Sequence, residues 1–130
     1  MKINKTAIVV ATLGVTLGFS SVSFAGCTAA QISGIWDVAF SDGNSCRLQV
    51  NNNGRINAGK SACFDPTRGS AAPDSGNLKV KGDCFAEGEL VLGGAVIELP
   101  VQFSNDRTTG AGRFLGPDMS KGSVVLIRVP

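Results

Sequence analysis

Cys27, Cys46, Cys63 and Cys84 are the residues of this chain best equipped for chemistry, and their spacings of 19, 17 and 21 residues narrow what that chemistry is. A structural zinc site is built from close pairs such as C-x-x-C, and no such pair occurs. The chain contains no histidine, which removes Ser-His-Asp and Cys-His catalysis together with His-ligated zinc. An enzyme would have to work with carboxylates, lysine or cysteine alone. Glu87 and Glu89 lie two apart, a spacing that puts both on one strand face, where solvated charges on the outside of a sheet are the ordinary outcome. Asp42-Gly43-Asn44, Asp65-Pro66 and Asp74-Ser75-Gly76 lack the alternating oxygen ligands of a calcium loop and read as turns. Gly93-Gly94 is likewise a turn, since no helix follows to complete a phosphate cradle. The expectation is a non-enzymatic chain with no catalytic residue, metal ligand or cofactor, its four thiols serving as two disulfides.

Disulfides require an oxidising compartment, and the first residues supply a route to one. Lys2 and Lys5 precede an apolar run from Thr6 to Phe19, too short to span a bilayer, followed by small residues ending Ser23-Phe24-Ala25. This pattern predicts a signal peptide over residues 1–25, with cleavage after Ala25, and a single domain over 26–130 that is exported to the periplasm or beyond. The alternative is a lipid anchor at Cys27, because Phe24-Ala25-Gly26-Cys27 also places small residues before a cysteine; only then is a membrane association expected. Removing the leader takes away two of the 12 basic residues and leaves ten to balance the 10 acidic ones. The basic character of the precursor belongs to the leader. No basic stripe remains to attract nucleic acid or an anionic membrane. For a domain of about 105 residues each bridge is worth roughly 2–4 kcal/mol, a large share of its stability. Four cysteines allow three pairings, and spacing alone does not choose among them.

The elements that must position these thiols are strands. Trp36, Val38 and Phe40 alternate with Asp37 between Ile35 and Phe40, and Cys46, Leu48 and Val50 repeat the pattern beyond the turn at Ser41 to Asn44. Asn51-Asn52-Asn53-Gly54 is the strongest hairpin signal, with Ile56 and Ala58 returning toward Cys63. Residues 65–76 (DPTRGSAAPDSG) hold no apolar side chain larger than Ala and read as a surface loop. Strands resume at Leu78 to Val80, Glu89 to Leu92, and Val96 to Phe103, the last expected to be an edge or bulged at Pro100. Further strands are expected around Phe114 and from Ser123 to Val129, where Val124, Leu126 and Arg128 share one face and Val125, Ile127 and Val129 the other. Both K-x-x-C-F strings, Lys60 to Phe64 and Lys81 to Phe85, would put their cysteines at similar heights at strand ends. The fold class is all-β: a small antiparallel up-and-down barrel or meander of seven to eight short strands, braced by disulfides.

Ala29-Ala30-Gln31-Ile32-Ser33-Gly34-Ile35-Trp36 opens the first strand with G-x-W, and Cys46-Arg47-Leu48-Gln49-Val50 follows. The G-x-W start resembles lipocalin-like and avidin-like barrels, in which the Trp plugs the barrel floor. The longer string is similar to the small periplasmic inhibitors of bacterial metalloproteases, eight-stranded barrels of about this length. That resemblance implies a bond between Cys46 and Cys63, leaving Cys27 for Cys84, and structural roles for Gly34, Trp36 and a late Arg128 covering the Trp. It also implies a protein partner, an extracellular protease, approached by the segment ahead of the first strand. Here that segment is only Gly26 to Gln31, and a bond at Cys27 would tether it. The candidate binding residues are accordingly Thr28, Ala29, Ala30 and Gln31, with Arg68 in the 65–76 loop. The expected function is binding of another macromolecule by the rim loops or the N-terminal segment, protease inhibition being its sharpest form. The alternatives are a small ligand carried in the barrel, and surface assembly through the 65–76 loop or an edge strand.

Overall fold

The computed structural model describes residues 26–130; the expected leader, residues 1–25, lies outside the described residues. Nine antiparallel strands form one curled sheet: β1 (Gly34–Phe40), β2 (Ser45–Val50), β3 (Ala62–Asp65), β4 (Gly69–Ala71), β5 (Ser75–Val80), β6 (Phe85–Leu92), β7 (Ala95–Phe103), β8 (Thr109–Leu115) and β9 (Lys121–Arg128). Their order is β4-β3-β2-β1-β9-β8-β7-β6-β5, so the first long strand pairs with the last. β4 and β5 are left at the two ends of the sheet. The short segment 54–56 bridges that seam. Ile56 opposes Val50 on one side and Arg55 opposes Asn77 on the other. The Ile56 amide donates to Gly76 O at 2.9 Å, and the Leu78 amide to Gly54 O at 2.7 Å. The sheet is thus a half-barrel cinched near one end, which we call the floor. At the opposite rim, β3 and β4 leave as a flap held only to the first half of β2.

Period-2 patterning decides which side faces in. Trp36, Val38 and Phe40 of β1, Leu48 and Val50 of β2, Leu99, Val101 and Phe103 of β7, and Val124 and Leu126 of β9 are all buried. The Trp36 ring meets Phe103 edge-on at 5.1 Å, and Phe40 meets Phe114 at 5.4 Å, geometries that aromatic quadrupoles favour. Gly88 shows why glycine recurs on the inward side: a Cβ there would lie 2.7 Å from both Leu78 Cδ2 and Leu99 O. The absent side chain is the space its neighbours use. Packed rings and branched side chains occupy the axis where a carrier would hold its ligand.

The ninth strand lies inside the segment expected to be a loop. Asp65 Oδ1 accepts from the Thr67 amide and hydroxyl, both at 2.8 Å, and these bonds hold its carboxyl below the usual carboxylate range. The resulting turn folds Gly69–Ala71 back on β3, with Phe64 opposite Ser70. All three β4 residues are exposed, so no apolar signal was needed. β7 is an interior strand, contrary to the expectation for Pro100. Its pairing with β8 runs from Glu98–Leu115 to Val101–Gly112, three residues apart on both strands, so nothing is inserted. The two cysteine strings also differ in height. Cys63 sits opposite Cys46 within the sheet, whereas Cys84 occupies the floor turn before β6.

Candidate protein-binding face

At the floor, the N-terminal segment folds into a turn. The Gln31 amide donates to Thr28 O at 3.0 Å, the Thr28 amide to Gln31 Oε1 at 2.9 Å, and the Ile32 amide to Ala29 O at 3.2 Å. Trp36 Nε1 donates to Ile32 O at 2.8 Å, and the Arg128 guanidinium lies over the Trp36 ring, 4.6 Å from its centroid. Arg128 donates from Nε to Arg107 O at 2.8 Å, from Nη2 to Gln31 O at 2.7 Å, and from Nη1 to Ser33 O. Gly34 adopts φ +128°, and a Cβ there would sit 2.9 Å from Arg128 Nη1, so the arginine reaches these carbonyls only past a glycine. Arg107 is half-buried and donates to Gly26 O at 3.1 Å. Cys27 is bonded to Cys84, and Cys46 to Cys63, the pairing the resemblance implied.

The candidate residues from sequence therefore separate. Thr28, Ala29, Ala30 and Gln31 join Gly34, Trp36 and Arg128 in a tethered plug. Arg68 lies in the turn between β3 and β4 at the opposite end, its amide 3.1 Å from Asp65 O. The structure does not bring these two groups into one site. Glu87 and Glu89 point outward, as a solvated face requires, and Glu87 faces Lys81 at 3.6 Å.

A different surface gathers three of the exposed large apolar side chains, Ile127, Val125 and Phe64. Register places two outward rows across β9, β1, β2 and β3. One reads Ile127–Asp37–Arg47–Ala62; the other reads Val125–Ala39–Ser45–Phe64 and continues to Ser70 on β4. Ile127, Val125 and Phe64 are 55%, 49% and 49% exposed, a large apolar area to leave in water on one side of a small domain. Between the rows runs a shallow groove of about 380 Å³. At its centre Arg47 grips Asp37 with two parallel bonds, Nε to Oδ1 at 2.7 Å and Nη2 to Oδ2 at 2.9 Å. The Arg47 hydrogen bond holds the Asp37 carboxyl below its usual pKa. Sequence reasoning missed this face. Its one signal was the Ser123 to Val129 strand, apolar on both sides, which must be covered twice or leave one face bare.

Because the folded pKa of Asp37 is depressed, the pair's contribution to stability is complete above the ordinary aspartate value of about 4. It is lost as pH falls through the lower folded value. Carbon-detected NMR titration should find Asp37 protonating below the normal aspartate range, and Arg47→Gln should return it toward that range. An unchanged Asp37 titration in R47Q would show that the arginine is not its cause.

No family model matches this chain, and no curated protein matches it.

Proposed function

We propose that this chain is an exported, non-enzymatic binding protein that engages another protein through the outer face of β9, β1, β2 and β3. The observation that carries the reading is the gathering of Ile127, Val125 and Phe64, each about half exposed, around one charge-neutral ion pair. Interfaces favour such a surface, apolar and aromatic with its charges matched. The two disulfides are compatible with an oxidising, exported environment. A Cys27 sulfur engaged with Cys84 has no valence left for a thioether lipid, which favours simple cleavage after Ala25. The test is a photo-crosslinking side chain placed at Ile127, with Lys79 on the far side as control. Protein adducts are expected in the producing cells from position 127 and not from 79. Equal adducts from both, or none from either, would refute the reading.

A second reading, inhibition of an exported metalloprotease, is favoured by the Cys46–Cys63 bond and by Arg128 over Trp36, both features of the inhibitors this chain resembles. The Cys27 tether counts against delivery by the N-terminal segment, so a rim or outer-face mode would be needed. Stoichiometric loss of activity in a panel of exported metalloproteases would support it; full activity at tenfold excess of the oxidised chain would end it.

A further inference from the structure

The two rows have a property that neither needs for folding: they are complementary to themselves. A two-fold axis laid in the plane of the face, along the strands and between β1 and β2, exchanges the positions of β1 and β2 and of β9 and β3. Asp37 of one copy then meets Arg47 of the other, and Arg47 meets Asp37. Ile127 falls on Ala62, Val125 on Phe64, and Ala39 on Ser45. Every charge meets its opposite and the bulky apolar groups meet apolar groups, with no like charges opposed. The rotation of about 30° between packed sheets preserves these neighbours near the axis. We propose that the partner of this face is a second copy of the chain, the two packing outer face to outer face as an isologous dimer.

Several observations favour a copy over a foreign partner. A surface holding one Asp and one Arg side by side offers no net charge to steer an acidic or basic protein, but it satisfies itself when inverted. The domain beyond residue 25 balances ten basic against 10 acidic residues, so two copies meet without net repulsion. β4 continues the sheet beyond β3 as a short, uncharged strand, Gly69–Ala71, with Ser70 lining the same groove.

Size sets the strength. Four strands at about 4.8 Å spacing and five residues at about 3.3 Å rise define a footprint of roughly 19 by 17 Å. That is well under the roughly 800 Å² per partner of a standard interface. The dimer should therefore be weak and in fast exchange.

This inference rests on the reading of the face as a protein-binding surface, and the experiment separates the two. Sedimentation equilibrium of the disulfide-bonded chain should show its mass rising from one copy toward two between about 10 µM and 1 mM, the range expected of a small interface. Ile127→Lys should weaken association at least tenfold. Arg47→Asp alone, which sets four carboxylates together, should do the same. The exchanged pair Asp37→Arg with Arg47→Asp should restore dimerisation, since both the internal and the crossed contacts re-form. Circular dichroism of each variant checks that the barrel is intact, and the exchanged pair keeps the test valid if a single variant misfolds. A monomer at 1 mM overturns the dimer. So does a dimer indifferent to I127K and R47D. Crosslinks from position 127 to a different protein, with the chain itself monomeric, would leave the face a binding surface and overturn only the second copy.

Discussion

Trp36→Ala should cost about 4 kcal/mol of folding free energy, the range for removing a buried Trp. Trp36 is wholly buried, and three interactions end with it: the edge contact to Phe103, the bond to Ile32 O, and the platform beneath Arg128. The void is only part of the penalty. Arg128 would remain held by three carbonyls over a cavity, and Ile32 O would lose its buried donor. For a small domain with an m-value of about 1–2 kcal/mol per molar urea, the unfolding midpoint should fall by about 2 M or more. Trp36→Phe, which fills most of the volume but cannot donate, should lose roughly 1–2 kcal/mol. The substitutions remove the only Trp, so unfolding is followed by far-ultraviolet circular dichroism. A shift under half a molar in W36A would mean that the floor is held by something other than this ring.

Removing Cys27–Cys84 should be the costlier of the two disulfide deletions. That bridge closes a separation of 57 residues, against 17 for Cys46–Cys63. Loop-closure entropy assigns about 4 kcal/mol to the longer loop and about 3 to the shorter. The structural consequences diverge further. Cys46 and Cys63 are opposed in the ladder already, so Cys46→Ala/Cys63→Ala should loosen the β3–β4 flap and spare the barrel. Cys27→Ala/Cys84→Ala should loosen the start of the plug, since Gly26 and position 27 lose their covalent link to the turn before β6, while Gln31, Ile32 and Ser33 stay anchored by Arg128 and Trp36. Cys84 also sits at φ +60° next to Asp83 at +62°, a conformation a non-glycine residue adopts at a cost. Replacing it by glycine in the Cys27→Ala background should recover up to about 1 kcal/mol of the loss. Urea denaturation of both pairs checks the order. Equal losses, or a larger one for Cys46–Cys63, would contradict it.

Alternation carried most of the architecture. Trp36-Val38-Phe40, Cys46-Leu48-Val50 and Leu99-Val101-Phe103 could be assigned to strands, and to a shared interior, because each lines one side at period 2. β4 was illegible because Gly69-Ser70-Ala71 is fully exposed and owes its place to the Asp65 turn. Pro100 misled because a missing donor argues for an edge, whereas here the long β6–β7 ladder holds the strand in the interior. The seam could not be foreseen, as it depends on Arg55 and Ile56 meeting a strand some twenty residues on. The candidate face was half-visible. Val125 and Ile127 were assigned to the side opposite Val124 and Leu126, but pattern alone does not say which apolar side stays wet. Nor does it reveal that Phe64 lies in their row, since that neighbourhood is made by the pairing of β9 with β1.

That pairing also sets a schedule. Arg128 closes the floor by bonding to Ser33 and Gln31, 95 and 97 residues earlier. A chain emerging from its amino end therefore brings out Trp36, Val38 and Phe40 long before the strand that completes their shelter. Contacts this distant in sequence make folding slow, on the order of milliseconds to seconds. In the interval the first strand can pair only with β2, and the cysteines at 27, 46 and 63 are open to oxidants in any order. The floor cannot close until residue 128 is available, and the correct partner for Cys27 arrives 57 residues after it, when Cys46 and Cys63 are both already present.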